Sequence, residues 1–186
     1  MFKKQMNFQK ILFTALLALG AVVFVYGIGL STDLYGLYQS KSVGGVTGYK
    51  IFDNIQNYNH WLVIVSIALI LVCCIPFVFS SNTRRKYYKG NVIGTYVQAA
   101  AFVGTGVFIL IETIKYRAEY LKVDFAEFKE LCEEMGFAYS DSTFFFDAGF
   151  VVAVLLFIGA GLLIYNLMWK QKIVKKEDEI LAGGAK

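Results

Sequence analysis

A chain of 186 residues in which 57% of side chains are hydrophobic and 17% are charged is too apolar for an ordinary soluble domain, where about a quarter of residues carry charge. Its net charge of +4 is distributed segment by segment rather than gathered on one polar face, so no nucleic-acid partner is expected. Three cysteines, two of them adjacent in an apolar run, one histidine and no CxxC or Cys/His spacing exclude a disulfide framework and a zinc site, and no cofactor is expected.

Lys3, Lys4 and Lys10 precede an apolar run from Ile11 to Leu30, and its 20 residues suffice for a helix to cross a hydrocarbon core of ~30 Å. The run is longer than the roughly 7 to 15 apolar residues of a signal peptide and no A-x-A site follows, so an uncleaved membrane helix is predicted. Residues 31–60 read as a first outer loop, with Tyr35-Gly36-Leu37-Tyr38, Gly44-Gly45, Gly48, Asn54, Asn57 and Asn59. Leu34 to Ser40 and Val46 to Phe52 flank the glycine pair and are predicted to form a small β-hairpin. The spacings GxGxxG and GxxxxGK[ST] are missing, so these glycines mark a turn rather than a phosphate cradle.

Trp61 to Phe79 is the second predicted span, with Pro76 near its end, where a lost backbone hydrogen bond is tolerated. Cys73 and Cys74 would point about 100° apart on a helix, as packing groups rather than a redox pair. A cytoplasmic basic loop over 80–91 carries Arg84, Arg85, Lys86 and Lys89, the residues expected to determine topology. The third span, 92–114, is rich in small residues. Gly90 with Gly94, and Ala100 with Gly104, have the small-xxx-small spacing that lets helix backbones approach, and Gln98 is its mid-span amide, read as a helix contact or a substrate contact.

Residues 115–143 form the second outer loop. Within it Asp124 and Glu127 give a helix start, Phe125, Phe128, Leu131, Cys132 and Met135 recur at helical spacing, and Gly136 gives a stop. A short amphipathic helix over 124–135 is predicted, its polar face holding Glu127, Glu130, Glu133 and Glu134. Ser140 to Thr143 are cap-type residues before the fourth span, 144–169, in which Gly149 with Ala153, then Gly159 and Gly161, offer further packing surfaces. Residues 170–186 read as a solvated cytoplasmic tail with Lys170, Lys172, Lys175 and Lys176 next to the membrane.

Lys and Arg number three before the first span, two in the first loop, four in the second, four in the third and five in the tail. Positive-inside bias acts through short segments near the span ends, so both termini and the 80–91 loop are expected in the cytoplasm. The lack of any Asn-x-Ser/Thr sequon and of paired loop cysteines fits a bacterial plasma membrane. In this orientation Glu112 and Asp147 share the outer membrane level. They read either as a carboxylate pair for a cation or proton, or as Glu112 paired with Lys115 or Arg117 while Asp147 caps its own helix.

The predicted architecture is an all-α integral membrane protein, an up-down bundle of four transmembrane helices with a short amphipathic extramembrane helix and a small β-hairpin in the first outer loop. The expected function is non-enzymatic. The chain would be an accessory, assembly or interaction subunit that contacts membrane lipid and binds other membrane or surface proteins, or further copies of itself, through its outer loops and small-residue faces. The alternative is a small channel or transporter subunit, which requires Gln98, Glu112 and Asp147 to converge on a wet cavity. An enzyme would rest on His60 and Cys132. The four-span plan and Tyr35-Gly36-Leu37-Tyr38 resemble the claudin-type tetraspan proteins, whose corresponding element is Trp-Gly-Leu-Trp; the paired loop cysteines of that family are missing here, so membership is not assigned.

Overall fold

The computed structural model describes residues 2–38, 50–80, 88–136 and 140–183. Five helices follow in order: α1 (Phe2–Tyr38), α2 (Lys50–Ser80), α3 (Tyr88–Tyr120), α4 (Phe125–Met135) and α5 (Phe144–Gly183). Every regular element among the described residues is helical, and four of the helices are long and apolar enough to cross a membrane. Long runs of Leu, Ile, Val, Phe and Ala carry each of these four forward. Pro76 lies inside α2, near its end, with its ring 3.7 Å from where a Cβ on Gly94 would sit.

The four long helices close a ring in which α1 packs on α2 and α5, and α3 packs on α2 and α5. Neighbours run in opposite directions. On α3 and α5, Asn91 meets Lys170 while Arg117 meets Asp147. On α1 and α5, Gln5 meets Asn166 while Tyr26 meets Phe145. On α1 and α2, Gly20 approaches Ile70 while Gly27 approaches Leu62. The bundle is thus up-down, with α4 at one end and the lysines of α1 and α5, together with Lys89 of α3, at the other, here called the basic end. Phe13, Leu62, Phe102, Ile109 and Leu156 are fully buried between the helices, while Val25, Ile64, Leu71, Val97, Ile111 and Ile158 face outward and are exposed. Helices apolar on both faces are suited to apolar surroundings rather than to water.

The helices overrun the predicted spans. The segment read as an outer loop over 31–60 is helical through Tyr38 and again from Lys50, which corrects the hairpin at both ends: Leu34–Tyr38 continues α1 and Lys50–Phe52 opens α2. The rest of that hairpin, 39–49, lies outside the described residues. Ser31–Tyr38 contains one glycine and no proline to stop a helix. In α2, Ile51, Phe52, Ile55 and Tyr58 are buried at helical spacing, so packing outweighs the turn-like asparagines between them. The expected tail is helical over most of its length. Helix α5 runs to Gly183, through a segment of Lys, Gln, Glu, Ile and Leu with no proline, and Ile173 is buried.

Candidate functional site

At the end opposite the basic one, helix α3 stops at Tyr120 and the chain reverses through hydrogen bonds from the Lys122 N–H to the Glu119 carbonyl (3.0 Å) and from the Val123 N–H to the Tyr120 carbonyl (3.1 Å). Asp124 then caps α4. Its backbone is extended, and its Oδ1 accepts from the N–H groups of Ala126 (3.1 Å) and Glu127 (3.2 Å), the orphan donors of a first helical turn. Gly136 ends α4 at φ 69°, ψ 26°, with its N–H returned to the carbonyls of Cys132 and Glu133. The predicted amphipathic helix is therefore formed with its predicted start and stop.

The apolar side of α4 seats on the bundle. Phe128 stacks on Phe52 of α2 at 5.7 Å between centroids, and Phe125 meets Tyr120 edge-on at 5.0 Å. Cys132 is buried beside them, and burial pushes its thiol up, which makes it a neutral packing group. Glu127, Glu130, Glu133 and Glu134 face away from the bundle and are exposed. Lys129 and Glu133 approach to 3.9 Å on that surface, a solvent-screened pair worth about 0–1 kcal/mol.

Glu112 and Asp147 occupy the same end, each with a base of its own. Lys115 Nζ lies 3.5 Å from Glu112 Oε2, and Arg117 Nε lies 3.5 Å from Asp147 Oδ1. Asp147 also accepts from the Thr143 hydroxyl at 2.9 Å, which ties it to the first turn of α5. Gln98 lies 14 residues before Glu112 on α3, about 21 Å along the helix, so the structure does not bring the three polar candidates to one place. Just below the acids the hydroxyls of Tyr26, Tyr58 and Thr113 gather instead. The Tyr26 hydroxyl donates to the Phe145 carbonyl at 3.1 Å, and a Cβ on Gly149 would stand 2.5 Å from Tyr26 Oη and 2.7 Å from Thr113 Oγ1. Tyr58 stacks on Tyr116 at 5.4 Å, and the Tyr116 hydroxyl donates to the Asn54 carbonyl at 3.1 Å. No spacing in the sequence announces this cluster, because its members come from all four long helices.

No family model, curated protein or solved structure matches this chain. Function is therefore read from the surfaces themselves.

A second polar cluster fills the interior at the basic end. Gln5 and Gln9 on α1, Asn91 and Thr95 on α3, and Asn166 on α5 are all at most 4% exposed. Gln5 Nε2 donates to Asn166 Oδ1 (2.9 Å) and Gln9 Oε1 (3.1 Å), Lys170 Nζ donates to Asn91 Oδ1 (3.1 Å), and the Thr95 hydroxyl donates to the Asn91 carbonyl (2.7 Å). The signal for this cluster was in the sequence, since 5 and 9, 91 and 95, and 166 and 170 are each one helical turn apart. Gln98, one turn deeper, is fully buried, and neither its Nε2 nor its Oε1 has a hydrogen-bond partner; the weakly hydrogen-bonding thiol of Cys73 faces it.

The small residues divide into two groups. Gly149 and Ala153 face the interior, as do Gly106 against Phe157 (3.0 Å to an added Cβ) and Gly159 against Leu16 (2.8 Å). Gly94 stands beside Pro76. Gly90, Ala100 and Gly104, expected to bring helices together, are exposed instead, and a Cβ on Gly90 or Gly104 would meet nothing within 4 Å. Within the bundle the close approaches belong to the other face of α3, where bulky Phe157 needs the room that Gly106 leaves. Arg84, Arg85 and Lys86 lie outside the described residues, and Lys89 is exposed in the first turn of α3. Among the described residues no group of three or more His, Cys, Asp or Glu side chains is placed to hold a metal ion, and His60 is exposed, with its ring 6.3 Å from that of Trp61.

Proposed function

We propose that the protein is a non-enzymatic, multi-pass membrane protein that serves as an accessory, assembly or interaction subunit. Its four long helices cross a bacterial plasma membrane with both termini in the cytoplasm, and α4 lies on the outer side as an extramembrane cap. The apolar outward face of the bundle and the collection of lysines at one end support this placement. A charge at the centre of a membrane helix costs about 2.5–3.5 kcal/mol, and the described acids and bases of the long helices keep to the end segments.

The observation that carries the interaction reading is the geometry of α4. Its phenylalanines are used by the bundle, and its four glutamates point away from it. An anionic bilayer surface repels such a face, and a basic surface on a neighbouring protein complements it. The exposed, unfilled surface at Gly90, Ala100 and Gly104 supports a second contact inside the membrane, where small residues let another helix approach. The channel or transporter alternative draws on Gln98, but Glu112 and Asp147 are already paired with bases and far from it.

A photoreactive residue at Glu130 or Glu134, activated in native membranes, is expected to give a discrete adduct with one membrane or surface protein. Glu130→Lys with Glu134→Lys is expected to remove at least nine-tenths of an adduct formed from Ala126, which is also exposed on α4. A folded, inserted chain that yields no adduct from α4, or an adduct indifferent to the charge reversal, would sink this reading.

A further inference from the structure

The helical form of the expected tail changes what its lysines can do. Lys172, Lys175 and Lys176 are presented by a continuous helix directly beyond Trp169, and with Trp169, Ile173 and Glu179 they line an open hollow of about 340 Å³. None of the three lysines is in an ion pair among the described residues. Three ammonium groups against the single Glu179 carboxylate leave the hollow net positive.

Aromatic side chains set its depth. Phe8, Tyr165 and Trp169 form one cluster, with Trp169 5.8 Å from Phe8 and 6.2 Å from Tyr165 between centroids, where α5 passes from apolar to charged sequence. Tryptophan and tyrosine concentrate at the headgroup level of a bilayer. Lys172 and Lys176 stand about 4.5 and 10.5 Å further along the helix, and the headgroup layer is roughly 5–7 Å thick on each side. Lysine stems can bend back along apolar surface while the ammonium stays in the polar layer. The hollow therefore offers an apolar wall from Trp169 and Ile173 on the membrane side and ammonium groups at phosphate depth.

We propose that this hollow binds the headgroup of an anionic phospholipid of the inner leaflet, with Lys172 and Lys176 on the phosphodiester oxygens and the glycerol against Trp169. Because α5 already holds the lysines on one helix, binding need not order a loose tail. The proposal rests on the membrane placement given above. Each lysine near an anionic membrane surface is worth about fivefold in binding, so removing two should weaken it roughly twentyfold.

The test uses the full-length chain with Trp61→Phe, which leaves Trp169 as its single tryptophan, in bilayer nanodiscs of phosphatidylcholine into which phosphatidylglycerol is titrated. Trp169 fluorescence is expected to saturate with phosphatidylglycerol, with the half-saturation point raised roughly twentyfold by Lys172→Gln with Lys176→Gln. Removing Lys122 and Lys129 at the α4 end is expected to leave it within twofold, and circular dichroism checks that each variant is helical. An unchanged titration in the Lys172/Lys176 variant, or no response to phosphatidylglycerol, overturns the proposal. A saturating response to inorganic phosphate at the same concentrations assigns the hollow to free phosphate and overturns the lipid assignment. Failure of the chain to enter nanodiscs at all is a distinct outcome, and it overturns the membrane placement together with this proposal.

Discussion

At the residue scale the basic end of the bundle treats buried polar groups differently from its interior. Gln5 bonds to both Gln9 and Asn166, and Asn91 accepts from Lys170, so the burial of these amides leaves few donors and acceptors unmatched. Gln98 has no such compensation. An unpaired buried donor or acceptor costs about 1–3 kcal/mol, and Gln98 buries both kinds. Methionine has nearly the same length, fills an irregular gap and carries no strong hydrogen-bonding group. Gln98→Met is therefore expected to raise the unfolding free energy by about 1–3 kcal/mol, read from SDS-induced unfolding of the purified chain. A loss of stability would mean that the amide is paired in solution, and a loss of assembly without a loss of stability would place its partner on another subunit.

At the scale of elements α4 is the part whose local signals and tertiary contacts agree most closely. Asp124 satisfies two amide donors, Gly136 occupies the left-handed region, and Phe128 and Cys132 are buried. Putting a Cβ at φ 69° costs about 1–2 kcal/mol, and losing the cap carboxylate costs about 1 kcal/mol. Gly136→Ala and Asp124→Ala are each expected to speed proteolytic cleavage within 121–136 about fivefold or more, with the long helices unaffected. Equal cleavage in wild type and variants would show that packing against Phe52 alone sets the stability of α4. The start, stop and face of this helix were legible because capping is written in adjacent residues. The ends of α1, α2 and α5 were not, because what extends them is contact between helices. Asn54, Asn57 and Asn59 read as turn residues, yet Ile51, Ile55, Tyr58 and Leu62 beside them keep one buried face, a pattern that spacing could have disclosed. The Tyr26, Tyr58, Thr113 and Gly149 cluster could not have been found that way, since it depends on which helices are neighbours. Likewise small-xxx-small spacing identified faces able to approach closely but not which of them face inward: Gly149 does, and Gly104 does not.

At the scale of the whole molecule the fold puts both termini at one end, and the charge distribution alone bears on which side of a membrane that end would face. Among the described residues Lys3, Lys4, Lys10, Lys89, Lys170, Lys172, Lys175 and Lys176 outnumber Glu177, Asp178 and Glu179 at the basic end, while at the other end Glu112, Glu119, Asp124, Glu127, Glu130, Glu133, Glu134, Asp141 and Asp147 outnumber Lys50, Lys115, Arg117, Lys122 and Lys129. An antiparallel ring of four long helices needs both termini at one end, and the bonds from Gln5 to Asn166 and from Lys170 to Asn91 tie α1, α3 and α5 together there. Arg84, Arg85 and Lys86, with Lys89 in the first turn of α3, supply four positive charges in a segment short enough for positive-inside bias to act. Arg84→Glu with Arg85→Glu brings that segment to zero net charge while leaving the basic residues of α1 and α5 in place. If the segment dominates, a single cysteine at Asp141, in a chain whose native cysteines are replaced, should become partly protected from an impermeant reagent added outside intact cells. Labelling at the wild-type level would show instead that the lysines of α1 and α5, held next to each other by the bundle, are sufficient to orient the chain.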